Sequence, residues 1–276
     1  MKPIQNFTFS EIKNELFRLK NKEMKTNFFM SEKQFDQLLG ENKIKAFKSE
    51  KSCFLITDDN DFSRLYFIVQ DIYELGLIFE YVYKNVKGEI SVEAVGSSKY
   101  LENIKNAFLA NGFYEYSSMM RMSKIRTKKV EVNFENIHLL TRDKKEEIQN
   151  LYNRYFNKFV ERIPTNVEID LFISNECAYY FSDNGEIQGF VVFETHGITS
   201  HLRYWFVHPD YREKKIGSKL IQLFFNIGDD IRRELFWVIE SNHNAIKRYK
   251  YFGFVEEDMH NLILINKDKK YEEPNY

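Results

Sequence analysis

Cysteine is scarce in this 276-residue chain: only Cys53 and Cys177 occur, and they form no CxxC pair. A disulfide framework and a cysteine-rich zinc site are therefore excluded, and a reducing compartment is expected. An excess of either charge is also missing, since 40 basic side chains balance 41 acidic ones for a formal net charge of −1. No bulk field draws the protein to nucleic acid or to anionic lipid, so any anion must be held locally. Long apolar runs are absent too. None approaches the roughly eighteen residues of a spanning helix, and the opening "MKPIQNFTFSEIKNELFRLK" carries charge through every turn. The expectation is a soluble cytoplasmic protein with no membrane and no nucleic-acid partner. His138, His196, His243 and His260 show no ligand spacing, and no metal is expected.

What is present is length for two domains, with packing area from 26 Phe and 17 Tyr. An internal similarity divides the chain. "CFLITDDNDFSRLYFIV" from Cys53 matches "CAYYFSDNGEIQGFVVF" from Cys177, 124 residues on, as strand, polar turn and strand. "NAFLANGFYEYSSMMRM" matches "KRYKYFGFVEEDMHNLI" as a helix stopped by glycine, with Gly253 lying 141 residues after Gly112. The growth of 17 residues predicts about one extra strand and turn in the second copy. The boundary is expected near "SKIRTKKVEV", dividing 1–128 from 129–276.

In the second copy, Ile148, Leu151, Tyr152, Tyr155, Phe156 and Phe159 recur at helical spacing, and Pro164 marks the end of the helix. Thr165 and Glu168 form a capping box for a short second helix. Strands follow near 177–182 and 186–195, turned by Asp183-Asn184-Gly185, then a third strand in "TSHLRYWFVHP". The helix "GSKLIQLFFNIGDDIRR", the strand "LFWVIES", the helix "NAIKRYKYF" and a last strand complete the copy. In the first copy, helices are expected near 9–22, 31–40, 71–84 and 99–111, with a hairpin and the strand "EISVEAV"; "FIV" passes almost directly into "QDIYELGLIFEYVY".

The stretch "YREKKIGSKL" stands where a strand enters a helix. Such a turn aims several unpaired amides at one point, and the helix dipole adds about half a positive charge there. Gly217 permits close approach, Ser218 offers a hydroxyl, and Arg212, Lys214, Lys215 and Lys219 add cations. A charged helix start after an ordinary turn is the alternative reading of these residues.

With the run Val207-His208-Pro209-Asp210-Tyr211-Arg212 before it, the stretch resembles the donor-binding loop of the GNAT acetyltransferase superfamily, whose pattern is Gln/Arg-x-x-Gly-x-Gly/Ala. The match is Arg212-Glu213-Lys214-Lys215-Ile216-Gly217, with Lys215 in place of the first glycine. A negative φ at Lys215 keeps the amides in place, whereas a positive φ costs the lysine about 1 kcal/mol or more. A second motif of the family is matched by Asn242, Ala245, Tyr249, Gly253 and Phe254. The similarity covers about residues 130–266, and the first half is similar to a degenerate copy, with Phe108 aligned to Tyr249.

The resemblance implies an α+β fold of tandem domains, each a mixed, mostly antiparallel sheet flanked by helices. It also implies transfer of an acetyl or other acyl group from coenzyme A to an amine of a small molecule or peptide, by direct attack on the thioester, in the second domain. The main chain at Phe206 and Val207 would hold the pantetheine arm and residues 212–218 the diphosphate, and Asn242 and Ala245 would also belong to the donor-binding site. Tyr249 would face the departing sulfur. A phenol of pKa about 10 loses about 2 kcal/mol in protonating a thiolate of pKa about 8.5, so hydrogen bonding or concerted transfer is expected. A lysine-like acceptor is neutral less than about one part in a thousand at pH 7, so a base is needed. His201, His208 and Glu240 are the candidates. Two other readings stay open: aminoacyl-tRNA as donor, disfavoured by the absence of a basic stripe, and a non-catalytic acyl-CoA-binding module.

Overall fold

The computed structural model describes residues 1–59, 61–86, 88–126, 134–228 and 230–266. The expected domain boundary at 128/129 lies outside the described residues. By contact the chain divides into two compact units, Met1–Met119 together with the chain from Asp258, and Met120–Glu257. The last strand therefore spans the division, with its residues from Asp258 belonging to the first unit.

The first unit contains β1 (Lys2–Pro3), α1 (Phe9–Arg18), β2 (Lys25–Thr26), α2 (Glu32–Gly40), β3 (Ile44–Lys48), β4 (Ser52–Asp58) and β5 (Phe62–Val69). A 3-10 turn, α3 (Leu75–Asn85), β6 (Glu89–Gly96), α4 (Ser98–Ala110) and the start of β7 (Phe113–Ile125) follow. The second unit holds the end of β7, then β8 (Ile137–Leu139), α5 (Lys145–Tyr155), α6 (Asn166–Ser174), β9 (Ala178–Phe181), β10 (Gly189–His196) and β11 (Thr199–Val207). It continues with α7 (Ile216–Asn226), β12 (Arg233–Ile239), α8 (His243–Tyr251) and the start of β13 (Val255–Asn266).

Each unit is α+β. In the first, β3, β4 and β5 pair antiparallel, β5 and β6 parallel, and β6 pairs antiparallel with β13. In the second, β8 to β11 are antiparallel neighbours, and β11 and β12 are parallel. Period-two alternation sends side chains to two cores. On β10, Val191 and Phe193 join the cluster under α7 and α8, while Phe190 and Val192 join Ile148, Tyr152, Ile169 and Phe172 of α5 and α6. The first unit repeats this, with Phe67 and Val69 packing against α3 and α4 and Tyr66 and Ile68 against α1 and α2.

This topology corrects the expectation of an extra strand in the second copy. The unit β4-β5-α3-β6 corresponds to β10-β11-α7-β12, because in each an antiparallel hairpin leads through a helix to a parallel partner. The hairpin from Cys53 thus answers to β10 and β11, one strand beyond the match at Cys177. Short apolar strands separated by polar turns look alike, so a pattern match slips by a whole strand.

The expected helix up to Pro164 also stops early, at Tyr155. Phe156 is extended and its ring packs 5.1 Å from Tyr152 and 5.9 Å from Phe190. Asn157 Oδ1 then accepts from the amides of Phe159 (2.9 Å) and Val160 (3.3 Å), a local turn that competes with helix. The capping box forms at Thr165 and Glu168. No helix among the described residues is long and apolar enough to cross a membrane.

Candidate active site

Two parallel strands part in the second unit, and one inserted residue explains why. The β11–β12 pairs run from Thr199↔Arg233 to Leu202↔Phe236 and then stop, although β11 continues to Val207 and β12 to Ile239. At that level β10 pairs Val192 with Tyr204 and Phe193 with Leu202, so Arg203 is an extra residue in β11. Such a bulge bends its strand and ends the neighbouring ladder. Glu194 on β10 anchors the bulge, with both carboxylate oxygens bonded to Arg203 Nη1 at 3.0 and 2.9 Å.

Register decides which main-chain groups face the gap. The His208 amide donates to Gln188 O at 2.9 Å, and pairing with β10 is one for one from Val207↔Gly189 back to Tyr204↔Val192. Antiparallel alternation then turns the amides and carbonyls of Tyr204 and Phe206 to β10, and those of Trp205 and Val207 to the open edge. Phe206, expected to serve the gap, has its main chain on the closed edge. Trp205, which sequence reading missed, takes that place beside Val207. A Cβ at Gly189 would stand 2.8 Å from Phe206 O, so only glycine allows β10 this approach.

The loop between β11 and α7 enters the helix through two strained residues. Glu213 has φ 73° and Lys215 φ 59° and ψ 13°, left-handed values that favour glycine. The lysine therefore adopts the conformation that the missing glycine would supply. Among the described residues, the amides of Glu213, Lys215, Ile216, Gly217 and Ser218 donate to no acceptor outside the helix, as expected of a helix start. Arg212 and Lys215 are exposed and form no ion pair among the described residues. Lys214 lies over the Tyr211 ring at 4.8 Å and Lys219 over Phe181 at 5.0 Å, so Lys219 leans away from the turn. The absent side chain of Gly217 faces β11: a Cβ there would lie 3.3 Å from both Trp205 and Val207. That glycine permits close helix-strand packing.

Tyr249 on α8 sits where the strands part. Its ring centroid is 4.2 Å from Phe236 on β12 and 5.8 Å from Trp205 on β11. Burial pushes its phenol up to about 12, and its hydroxyl has no hydrogen-bond partner among the described residues. The Trp205 indole N–H is buried without an acceptor. Asn242 is the N-cap of α8, its Oδ1 accepting from the Ala245 amide at 3.1 Å.

The candidate bases separate. His201 lies in the paired part of β11, opposite Leu235 and Glu194, away from the gap. Burial, with Arg203 adding to it, pushes His201 down to about 4. A proton from an ammonium of pKa about 10.4 would climb about 9 kcal/mol to reach it. His208 secures the turn after β11: its Nε2 meets Tyr155 Oη at 2.9 Å and its Nδ1 accepts from the Asp210 amide at 3.3 Å. Glu240 is half-buried just beyond β12, at the open end of the gap. Among the described residues, no group of three or more His, Cys, Asp or Glu side chains is placed to hold a metal ion.

Residues 145–254 match the model of the Acetyltransferase (GNAT) family. This segment is a GNAT domain. Over most of its length the chain is similar in fold to solved GNAT structures. One is a GCN5-related N-acetyltransferase from Sphaerobacter thermophilus, with TM-score 0.58 and 12% identity over 81% of this chain and 80% of that one. Another is a GNAT-family acetyltransferase from Colwellia psychrerythraea, with TM-score 0.56 and 12% identity over 96% and 98%. A tandem GNAT protein from the clavulanic acid biosynthesis pathway gives TM-score 0.53 and 10% identity over 83% and 84%. No curated protein matches the sequence. The GNAT fold implies acyl-CoA-dependent acyl transfer in general terms, to a small-molecule or peptide acceptor.

Proposed function

We propose that the second unit transfers an acyl group, acetyl in the simplest case, from acyl-coenzyme A to an amine. The reading is carried by the gap that opens at the Arg203 bulge, with the Trp205 and Val207 main chain along one side. Those two residues would hold the amide-bearing pantetheine arm as a neighbouring strand would, and a free amide there would polarise the thioester carbonyl. The unpaired amides at 215–217 and the side chains of Arg212 and Lys215 would hold the diphosphate. Attack of a neutral amine on the thioester carbon forms the new C–N bond, and the C–S bond breaks.

Tyr249 supports the departing thiolate by hydrogen bonding. With its phenol pushed up to about 12, full transfer of its proton to a thiolate of pKa about 8.5 is uphill by about 5 kcal/mol. A donated hydrogen bond has no such cost and stabilises the developing negative charge. Glu240, at the open end of the gap, is the remaining candidate to accept the amine proton directly or through water.

Calorimetric titration with acetyl-CoA tests the reading. Binding is expected, and Gly217→Trp should weaken it at least tenfold by forcing α7 from Trp205 and Val207. Tyr249→Phe should bind the donor normally and turn over roughly tenfold or more slowly, as for loss of one transition-state hydrogen bond. Absence of donor binding at millimolar concentration would end the proposal.

A further inference from the structure

The first unit has the same strand divergence, and the chain itself fills it. The β5–β6 pairs are Phe62↔Glu89, Ser63↔Ile90 and Arg64↔Ser91, after which pairing ceases, although β5 runs to Val69 and β6 to Gly96. β4 covers the far edge of β5 along its whole length. The near edge, from Leu65 on, needs partners for buried amides and carbonyls.

Residues 25–28 supply them. β2 lies antiparallel along that edge, with Lys25 opposite Val69 and Thr26 opposite Ile68. Thr26 Oγ1 donates to Phe67 O at 2.8 Å, and the Asn27 amide donates to the same carbonyl at 3.2 Å. The Asn27 side chain bridges both strands. Its Oδ1 accepts from the Phe67 amide at 2.6 Å, and its Nδ2 donates to Leu65 O on β5 and to Glu93 O on β6, each at 2.9 Å. Asn27 is only 3% exposed. On the other side, the Thr26 amide donates to Tyr100 Oη at 3.0 Å, and that hydroxyl donates to Thr26 O at 3.1 Å.

We infer that residues 25–28 are a built-in occupant of the groove that stands open in the second unit, so that the first unit accepts no acyl-CoA and the chain carries one donor site. The count of one rests on the proposed function of the second unit; the occupied groove does not. The occupant belongs to the connection between α1 and α2. Its counterpart between α5 and α6 takes another course, since Tyr204 Oη bonds Arg162 O there, and Trp205 and Val207 keep an open edge.

The approach to α3 opposes a diphosphate as well. Only Gln70 and Asp71 separate β5 from the 3-10 turn, and Asp71 Oδ1 accepts from the Tyr73 amide at 2.9 Å. A carboxylate thus sits where the second unit offers unpaired amides. The adjoining cleft, about 680 Å³, is lined by Glu23, Lys25, Asp71, Tyr73, Asn103 and Asn106 among others, and its two carboxylates outweigh its one lysine in meeting a phosphate.

Hydrogen exchange read by mass spectrometry on the full chain tests this, with and without millimolar acetyl-CoA. In the wild type the ligand should slow exchange at 203–207 and 213–218 and leave 65–69 and 92–96 unchanged. Asn27→Ala should speed exchange around Phe67 on the order of tenfold or more, with 203–207 unaffected. Ligand-dependent slowing at 65–69 or 92–96, or unchanged exchange at Phe67 in Asn27→Ala, would overturn the inference. Should acetyl-CoA slow exchange nowhere, the donor reading of the second unit fails, while the occupied groove stands or falls on Asn27→Ala. If that variant does not fold, Thr26→Val replaces it: the Phe28 amide, which donates to Thr26 Oγ1 at 3.0 Å, should then exchange faster, and no change there would be the contrary result.

Discussion

Replacing Lys215 by glycine should make the protein more stable while weakening its grip on an anion. Lys215 holds φ 59° and ψ 13° at the N-cap of α7, with no side-chain cap hydrogen bond to offset the strain. The left-handed conformation costs an L-residue about 1 to 2 kcal/mol, and glycine's extra freedom in the unfolded chain returns about 0.5 to 1 kcal/mol of that. The net gain for Lys215→Gly is about 0.5 to 1 kcal/mol, or about 2 to 3 °C in the melting temperature of a unit this size. Lys215→Ala removes the same charge and keeps the strain, so it should lie about 0.5 to 1 kcal/mol below the glycine variant. One exposed cation near a phosphate oxygen contributes about 1 kcal/mol in water. Both variants should therefore bind acetyl-CoA up to about fivefold more weakly at low salt, a difference that fades near 0.5 M as screening shortens. Urea unfolding and thermal melts of the three proteins provide the assay. A glycine variant no more stable than the alanine variant would refute the strain at Lys215.

Further outcomes follow from single residues. Gly189→Ala should destabilise the second unit by about 1 to 3 kcal/mol in urea unfolding, because its Cβ would meet Phe206 O at 2.8 Å; a neutral effect would show that β10 and β11 lie farther apart. Burial pushes the Cys53 thiol up to about 12 and the Cys177 thiol up to about 11, so a disulfide reagent at pH 8 should label buried Cys53 only upon unfolding and half-buried Cys177 far more slowly than a free thiol. His201, pushed down to about 4 by burial, stays neutral in the native state while the unfolded chain takes up a proton below pH 6.5. Its contribution is therefore present above pH 6.5 and lost as the pH falls toward 4, by up to about 3 kcal/mol. His201→Gln should flatten stability against pH in that window; an unchanged slope would assign the loss to other groups.

Local chemistry made much of this protein legible in its sequence. The Thr165–Glu168 capping box, the glycines at Gly112 and Gly253 and the loop from Arg212 to Gly217 depend on neighbours in the chain, and each stands in the structure at the expected place. What was not legible depends on pairing between distant segments. A bulge carries no residue signature, so Arg203 gave no sign of where β11 and β12 part. The exchange of Phe206 for Trp205 on the open edge follows from a one-residue register, fixed by the His208–Gln188 bond. Asn27 reads as an ordinary loop residue, and its bonds to Leu65, Phe67 and Glu93 span 38 to 66 positions. The sign of φ at Lys215 was left open by the sequence because lysine adopts either value at unequal cost.

We propose that the gap beside Trp205 and Val207 receives an acyl-coenzyme A. A crystal structure of the protein grown with acetyl-CoA tests it most directly. The pantetheine arm should be bonded to the main chain of Trp205 and Val207, the diphosphate should rest on the amides of residues 215–217, and the sulfur should lie within hydrogen-bonding reach of Tyr249 Oη. A ligand lodged elsewhere, or β11 and β12 closed over their full length with the nucleotide excluded, would contradict it.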